Sequence, residues 1–136
     1  MLIFHAPFLY KYLEMILINL HNISIISWRD ILEKERFLIE NFYNKDILEM
    51  VKYLNIDYYE YCDIVVKNKL YLKNTKNITR TWSTEEDDII KIYSNDLTIR
   101  QISNMLWRSY YGTYQRIRYL GVSNLIKKRR SNKNEE

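Results

Sequence analysis

Only two glycines and one proline punctuate 136 residues. Sheets need frequent reversals, and tight reversals draw on Gly and Pro for their special backbone angles. A chain this poor in both is expected to be built from helices joined by short polar turns. Hydrophobic residues make up 47%, so a core can be buried. The length suits one ordinary domain or two very small ones. The abundance of Ile, Asn, Lys and Tyr, with 13 tyrosines, reads as the imprint of an AT-rich genome and not as chemistry.

Apolar spacing places the helices. Pro7 suits a first helical turn, and Phe8, Leu9, Tyr12, Leu13, Ile16, Leu17 and Leu20 recur at helical intervals over about 7–20. Residues 21–27 form a connector. A helix is expected from Trp28 to about Tyr43, then a turn at Asn44 and Lys45. Asp46 caps a helix over 47–54, and Asp57 caps another to about Lys69. Segment 73–81 is polar and reads as a linker. The sequence Ser83-Thr84-Glu85-Glu86 has capping-box form and opens a helix to about Ser94. Thr98, with Gln101 three residues on, opens the next; Ser109 caps a last helix that Gly121 ends. The tail 123–136 is basic, then acidic.

The halves match. Ile47, Met50 and Leu54 precede Ile99, Ile102 and Leu106 by 52 residues; Asp57 precedes Ser109, and Leu70 precedes Val122, by the same interval. Ahead of the first turn the spacing drops to 51, pairing Leu38 with Ile89 and Phe42 with Tyr93. The expected architecture is all-α: an N-terminal hydrophobic helix and connector over 1–27, a degenerate three-helix unit over 28–72, the linker 73–81, a second three-helix unit over 82–122, and the tail.

Charge separates the halves. Residues 1–79 hold ten basic and ten acidic side chains, whereas 80–136 hold eleven basic and seven acidic. Between 97 and 134 stand nine basic residues and no acid, a block that points to polyanions. Chemistry is otherwise scarce. Gly112 and Gly121 cannot make a nucleotide-binding loop. Cys62 stands alone, which excludes an internal disulfide, and its apolar and acidic neighbours argue against an activated thiol. His5 and His21 lack cysteine partners, and the acids at 85–88 read as a helix-start charge run, so no metal, cofactor or enzymatic activity is expected. Segment 1–26 lacks a basic start and a cleavage site, and Lys11 and Glu14 interrupt it, so neither a leader nor a membrane span is expected. The expected setting is intracellular: cytoplasm or nucleoid, or the nucleus in a eukaryotic host.

The opening Trp82-Ser83-Thr84-Glu85-Glu86-Asp87, the stretch 99–106, Arg108-Ser109, and the ending 116–122 together resemble the Myb/SANT-like helix-turn-helix family, in the form common in small bacterial and viral members. The likeness covers 80–122 well and 28–72 faintly. Gly112 departs from it where a small helix former is usual, and tryptophans do not recur regularly. The resemblance implies a small DNA-binding transcription regulator or architectural factor. Its third helix would turn Thr113, Ile117 and Leu120 inward and Tyr110, Tyr111, Tyr114, Gln115 and Arg118 outward into the groove. Gln suits adenine and Arg suits guanine in the major groove. Arg108, Ser109 and the tail residues Lys127, Lys128, Arg129 and Arg130 would serve the phosphates. Asp57, Glu60 and Asp63 give the matching helix of the first unit an acidic face, suited to a protein partner, and the N-terminal helix suits a homodimer contact. The rival reading is a SANT-type protein-interaction module, or an accessory subunit of a nucleic-acid-processing or ribonucleoprotein complex.

Overall fold

The computed structural model describes residues 28–124 and Ile126. The expected helix at 7–20 and the tail basics Lys127, Lys128, Arg129 and Arg130 lie outside these residues. The chain divides into two compact units, Met1–Phe37 and Leu38–Glu136. All regular structure among the described residues is helical, and no helix there is long and apolar enough to cross a membrane. Residues 28–41 are helical (α1), with Trp28, Ile31 and Leu32 of the first unit exposed.

In the second unit α2 (Ile47–Leu54) and α3 (Tyr58–Lys67) are followed by a single 3₁₀ turn, Leu70–Leu72. An irregular segment then leads to α4 (Thr84–Tyr93), α5 (Ile99–Leu106) and α6 (Tyr110–Leu120). Each of the helices α2 to α6 starts on a side-chain cap: Asp46, Asp57, Ser83, Thr98 and Ser109 each accept the amide hydrogen of the third residue in. Such caps satisfy a donor that the first helical turn leaves open. At Thr98 the box is complete, because Gln101 Oε1 accepts from the Thr98 amide at 3.0 Å. At Ser83 it is not. The Glu86 amide bonds Ser83 Oγ at 3.1 Å, but the Glu86 carboxylate takes its bonds from Arg108 and the Ser83 hydroxyl in place of the Ser83 amide.

The 52-residue spacing holds through the first turn as well. Asn44 and Lys45 amides reach Asn41 O, and Asp96 and Leu97 amides reach Tyr93 O, all at 3.0 Å. Leu38 therefore matches Ile90 and Phe42 matches Ser94, each of the four 1% exposed or less. The expected slip to 51, pairing Leu38 with Ile89 and Phe42 with Tyr93, is not seen, because the two turns have the same length and the same hydrogen bonds. The helix ends obey the same spacing. Asn55 and Trp107 are left-handed at φ 52° and 53°, as are Lys69 and Gly121 at 52° and 73°. Left-handed backbone disfavours a side chain as large as Trp by roughly 1–2 kcal/mol. Trp107 is held there by burial, its ring centroid 6.0 Å from that of Phe42.

Both halves share one core. Leu38, Phe42, Ile47, Met50, Tyr61 and Val65 are buried with Ile89, Ile90, Ile102, Met105, Leu106 and Ile117. α3 packs on α4, and the Leu70–Leu72 turn packs on α5. The last carbonyls of α5, which no intrahelical amide can reach, are taken up from outside the helix. Thr75 Oγ1 donates to Asn104 O at 2.7 Å, Tyr61 Oη to Met105 O at 3.0 Å, and Arg80 Nη2 to Leu106 O. Tyr61→Phe leaves one buried carbonyl without its partner. It is expected to lower the unfolding free energy by about 1–3 kcal/mol in denaturant titration, with the helical circular-dichroism spectrum unchanged.

Candidate nucleic-acid interface

α6 contains no acidic residue and opens on Ser109, whose Oγ accepts from the Gly112 amide at 3.0 Å. A Cβ at 112 would come within 2.9 Å of that Oγ, so the glycine serves the cap. Thr113 and Ile117 are buried, and Thr113 Oγ1 donates back to Ser109 O at 2.9 Å. Leu120 is half-buried. Tyr111, Gln115 and Arg118, spaced one helical turn apart, are exposed; Tyr110 is exposed beside them, and Tyr114 is half-buried. Gln115 Nε2 donates to Tyr111 Oη at 2.6 Å, and the Arg118 guanidinium lies 5.8 Å from the Tyr114 ring centre. Arg100, from the first turn of α5, stacks on Tyr110 at 4.8 Å. Tyr110 and Tyr114 also line a groove of about 720 Å³ against Tyr71, Leu72 and the start of α5. Five expected contact residues thus lie together on one face or its edge: Tyr110, Tyr111, Tyr114, Gln115 and Arg118.

Arg108 does not belong to this face. It is buried, with Nε 2.7 Å and Nη2 3.0 Å from the Glu86 carboxylate. Its remaining donors reach Arg80 O at 2.7 Å and Thr81 O at 2.9 Å. The Trp82 ring centre lies 3.8 Å from its guanidinium. A guanidinium so enclosed has no donor to offer a phosphate; its work is to hold the segment before α4 against the turn before α6. Sequence spacing put Arg108 beside the cap, and only the packing reveals that it turns inward. The acids at 85–88 disperse for the same reason. Glu86 meets Arg108, Asp87 takes two bonds from Arg116 at 2.8 and 2.7 Å, and Asp88 accepts from Tyr59 at 2.7 Å. Hydrogen bonding to Asp88 raises the Tyr59 phenol to about 12.

The acidic face of α3 is largely committed as well. Asp57 caps its own helix, accepting from the Glu60 amide at 2.8 Å, and Asp63 accepts from Tyr93 at 2.8 Å. Burial, with Asp63 adjacent, pushes the Cys62 thiol well above its ordinary value, which leaves it inert.

Sequence reasoning missed the segment 73–81. It is irregular, yet it is bound along its length rather than free. Thr75 bonds Asn104 O, Asn77 Oδ1 accepts from the Ser109 amide at 3.0 Å, and the Ile78 amide reaches Trp107 O at 2.9 Å. No periodic signal marks such a strap, because each anchor is a polar group finding a helix end.

Comparison with known families, curated proteins and solved structures finds no match for this chain.

Two outcomes are expected from the ion pairs. Glu86→Gln leaves Arg108 buried without a countercharge, and should cost about 3–5 kcal/mol of unfolding free energy. For Asp87 the bidentate Arg116 bond holds the carboxyl below its ordinary 3.8. A lowered folded pKa means that the contribution is present above 3.8 and is lost as pH falls through the folded value. Asp87→Asn should therefore be less stable than wild type at neutral pH, by up to about 1 kcal/mol for a pair this near the surface. The two curves should converge in acid below pH 3.8.

Proposed function

We propose that this protein binds duplex DNA by laying the exposed face of α6 in the major groove, as a small transcription regulator or architectural factor of Myb/SANT-like helix-turn-helix type. The observation that carries the reading is the acid-free row Tyr111, Gln115 and Arg118, exposed on a helix whose other side is locked into the core. A groove helix needs that division: one side rigidly held, the other rich in donors, acceptors and flat rings. Gln115 suits an adenine edge and Arg118 a guanine edge, while Tyr110, Tyr111 and Ser109 suit the backbone. The 52-residue correspondence of turns and caps supports two helix-turn-helix units of common design, of which only the second leaves its last helix open.

A second reading rests on that same correspondence. Tyr59 and Asp63 stand where Tyr111 and Gln115 stand in the second half, and they bond a protein helix, α4, through Asp88 and Tyr93. A face of this design thus also fits a partner helix, as in a SANT-type interaction module.

Fluorescence anisotropy with a pool of random duplexes, followed by selection, separates the two. Arg118→Ala and Gln115→Ala should each cost about 1–3 kcal/mol on the selected duplex and relax preference at one base pair. Unchanged affinity and unchanged preference in both variants would sink the groove-helix reading. Absence of wild-type duplex binding at low salt would favour the partner-helix one.

A further inference from the structure

We propose that the strap 73–81 is a second element of the DNA interface, with Lys76 a phosphodiester contact beside the start of α6. The inference rests on the duplex-binding reading above and extends it to residues outside any helix.

Lys76 lies between two anchors. Thr75 Oγ1 is bonded to Asn104 O at 2.7 Å, and Asn77 Oδ1 accepts the Ser109 amide at 3.0 Å. The next residue, Ile78, donates its amide to Trp107 O at 2.9 Å. Hold points at 75, 77 and 78 flank Lys76 on both sides and tie this stretch to the end of α5 and the turn from which α6 departs. Lys76 itself is exposed and forms no ion pair among the described residues. The strap contains no acid, and neither does the sequence from 97 to 134, so no countercharge of either segment opposes a phosphate there. A lysine in a free linker loses its backbone freedom on binding; one already held in place avoids that cost. Lys73 differs: its ammonium sits 5.1 Å from the Tyr43 ring centre, away from this task.

A contact of this kind carries charge and no sequence information, which gives it a distinct signature. Binding of wild type, Lys76→Ala, Lys76→Arg and a control, Lys52→Ala on α2, is measured against a selected duplex over a series of salt concentrations. Neutralising one phosphate contributes about 0.9 to the slope of log K against log salt. Lys76→Ala should lower the slope by about that amount, with base preference and circular dichroism unchanged. Lys76→Arg should restore the slope, and Lys52→Ala should leave it at the wild-type value. If Arg118→Ala weakens binding while Lys76→Ala keeps the full slope, the strap assignment is wrong and the groove-helix reading stands. A lower slope in Lys52→Ala equal to that in Lys76→Ala also overturns it, since the effect is then net charge alone. If wild type does not bind duplex at all, both readings fall together.

Discussion

The buried carboxylate of Glu86 organises the second unit. It is 1% exposed and meets Arg108 from one side and Arg80, at 3.4 Å, from another. Through these two guanidiniums it reaches the carbonyls of Ile78, Arg80, Thr81, Leu106 and Trp107. Burying such ions costs several kcal/mol each, so the cluster adds little stability over an apolar equivalent. What it sets is position. The strap, α4 and the α5–α6 turn are tied to one another through these bonds, which leave the Arg80 Nε as the one guanidinium nitrogen of the pair without a partner among the described residues. Burial draws the Arg80 guanidinium below its ordinary value, while the nearby Glu86 carboxylate opposes that shift. The orientation of α6, and with it the candidate interface, follows from this arrangement.

The two halves share their turns and differ in what their last helices face. α3 spends Tyr59 and Asp63 on α4, while α6 keeps Tyr111 and Gln115 for each other and for solvent. One of these faces is internal and the other stays open. That asymmetry matches the distribution of charge: the closed helix carries Asp57, Glu60 and Asp63, and the open one carries no acid.

Much of the helical layout was legible. Asp46, Asp57, Ser83, Thr98 and Ser109 announce helix starts because a short polar side chain before an apolar run satisfies the orphan amides locally. Gly121 announces an end because glycine takes a left-handed backbone without strain, and its φ is indeed 73°. Thr113 and Ile117 were legible as inward and Gln115 and Arg118 as outward, since helical periodicity fixes relative facing. Arg108 was not. It adjoins the cap Ser109 in sequence, and nothing local shows that Glu86, 22 residues away, waits in the core to receive it. The strap was not legible for a related reason: Thr75, Asn77 and Arg80 look like linker residues until the end of α5 supplies carbonyls, and Ser109 an amide, for them.

The sequence by itself determined that the chain is helical, where the helices of the second unit begin, and which side of α6 is polar. Those are short-range matters, decided by caps, periodicity and the scarcity of Gly and Pro. The tertiary structure alone decided which charges stay exposed. Arg108, Arg116 and Arg80 are drawn to Glu86, Asp87 and carbonyl groups distant in sequence, whereas Arg118 and Lys76 are left exposed. A charge is free only when packing brings it no acceptor, and that depends on contacts which no local pattern encodes.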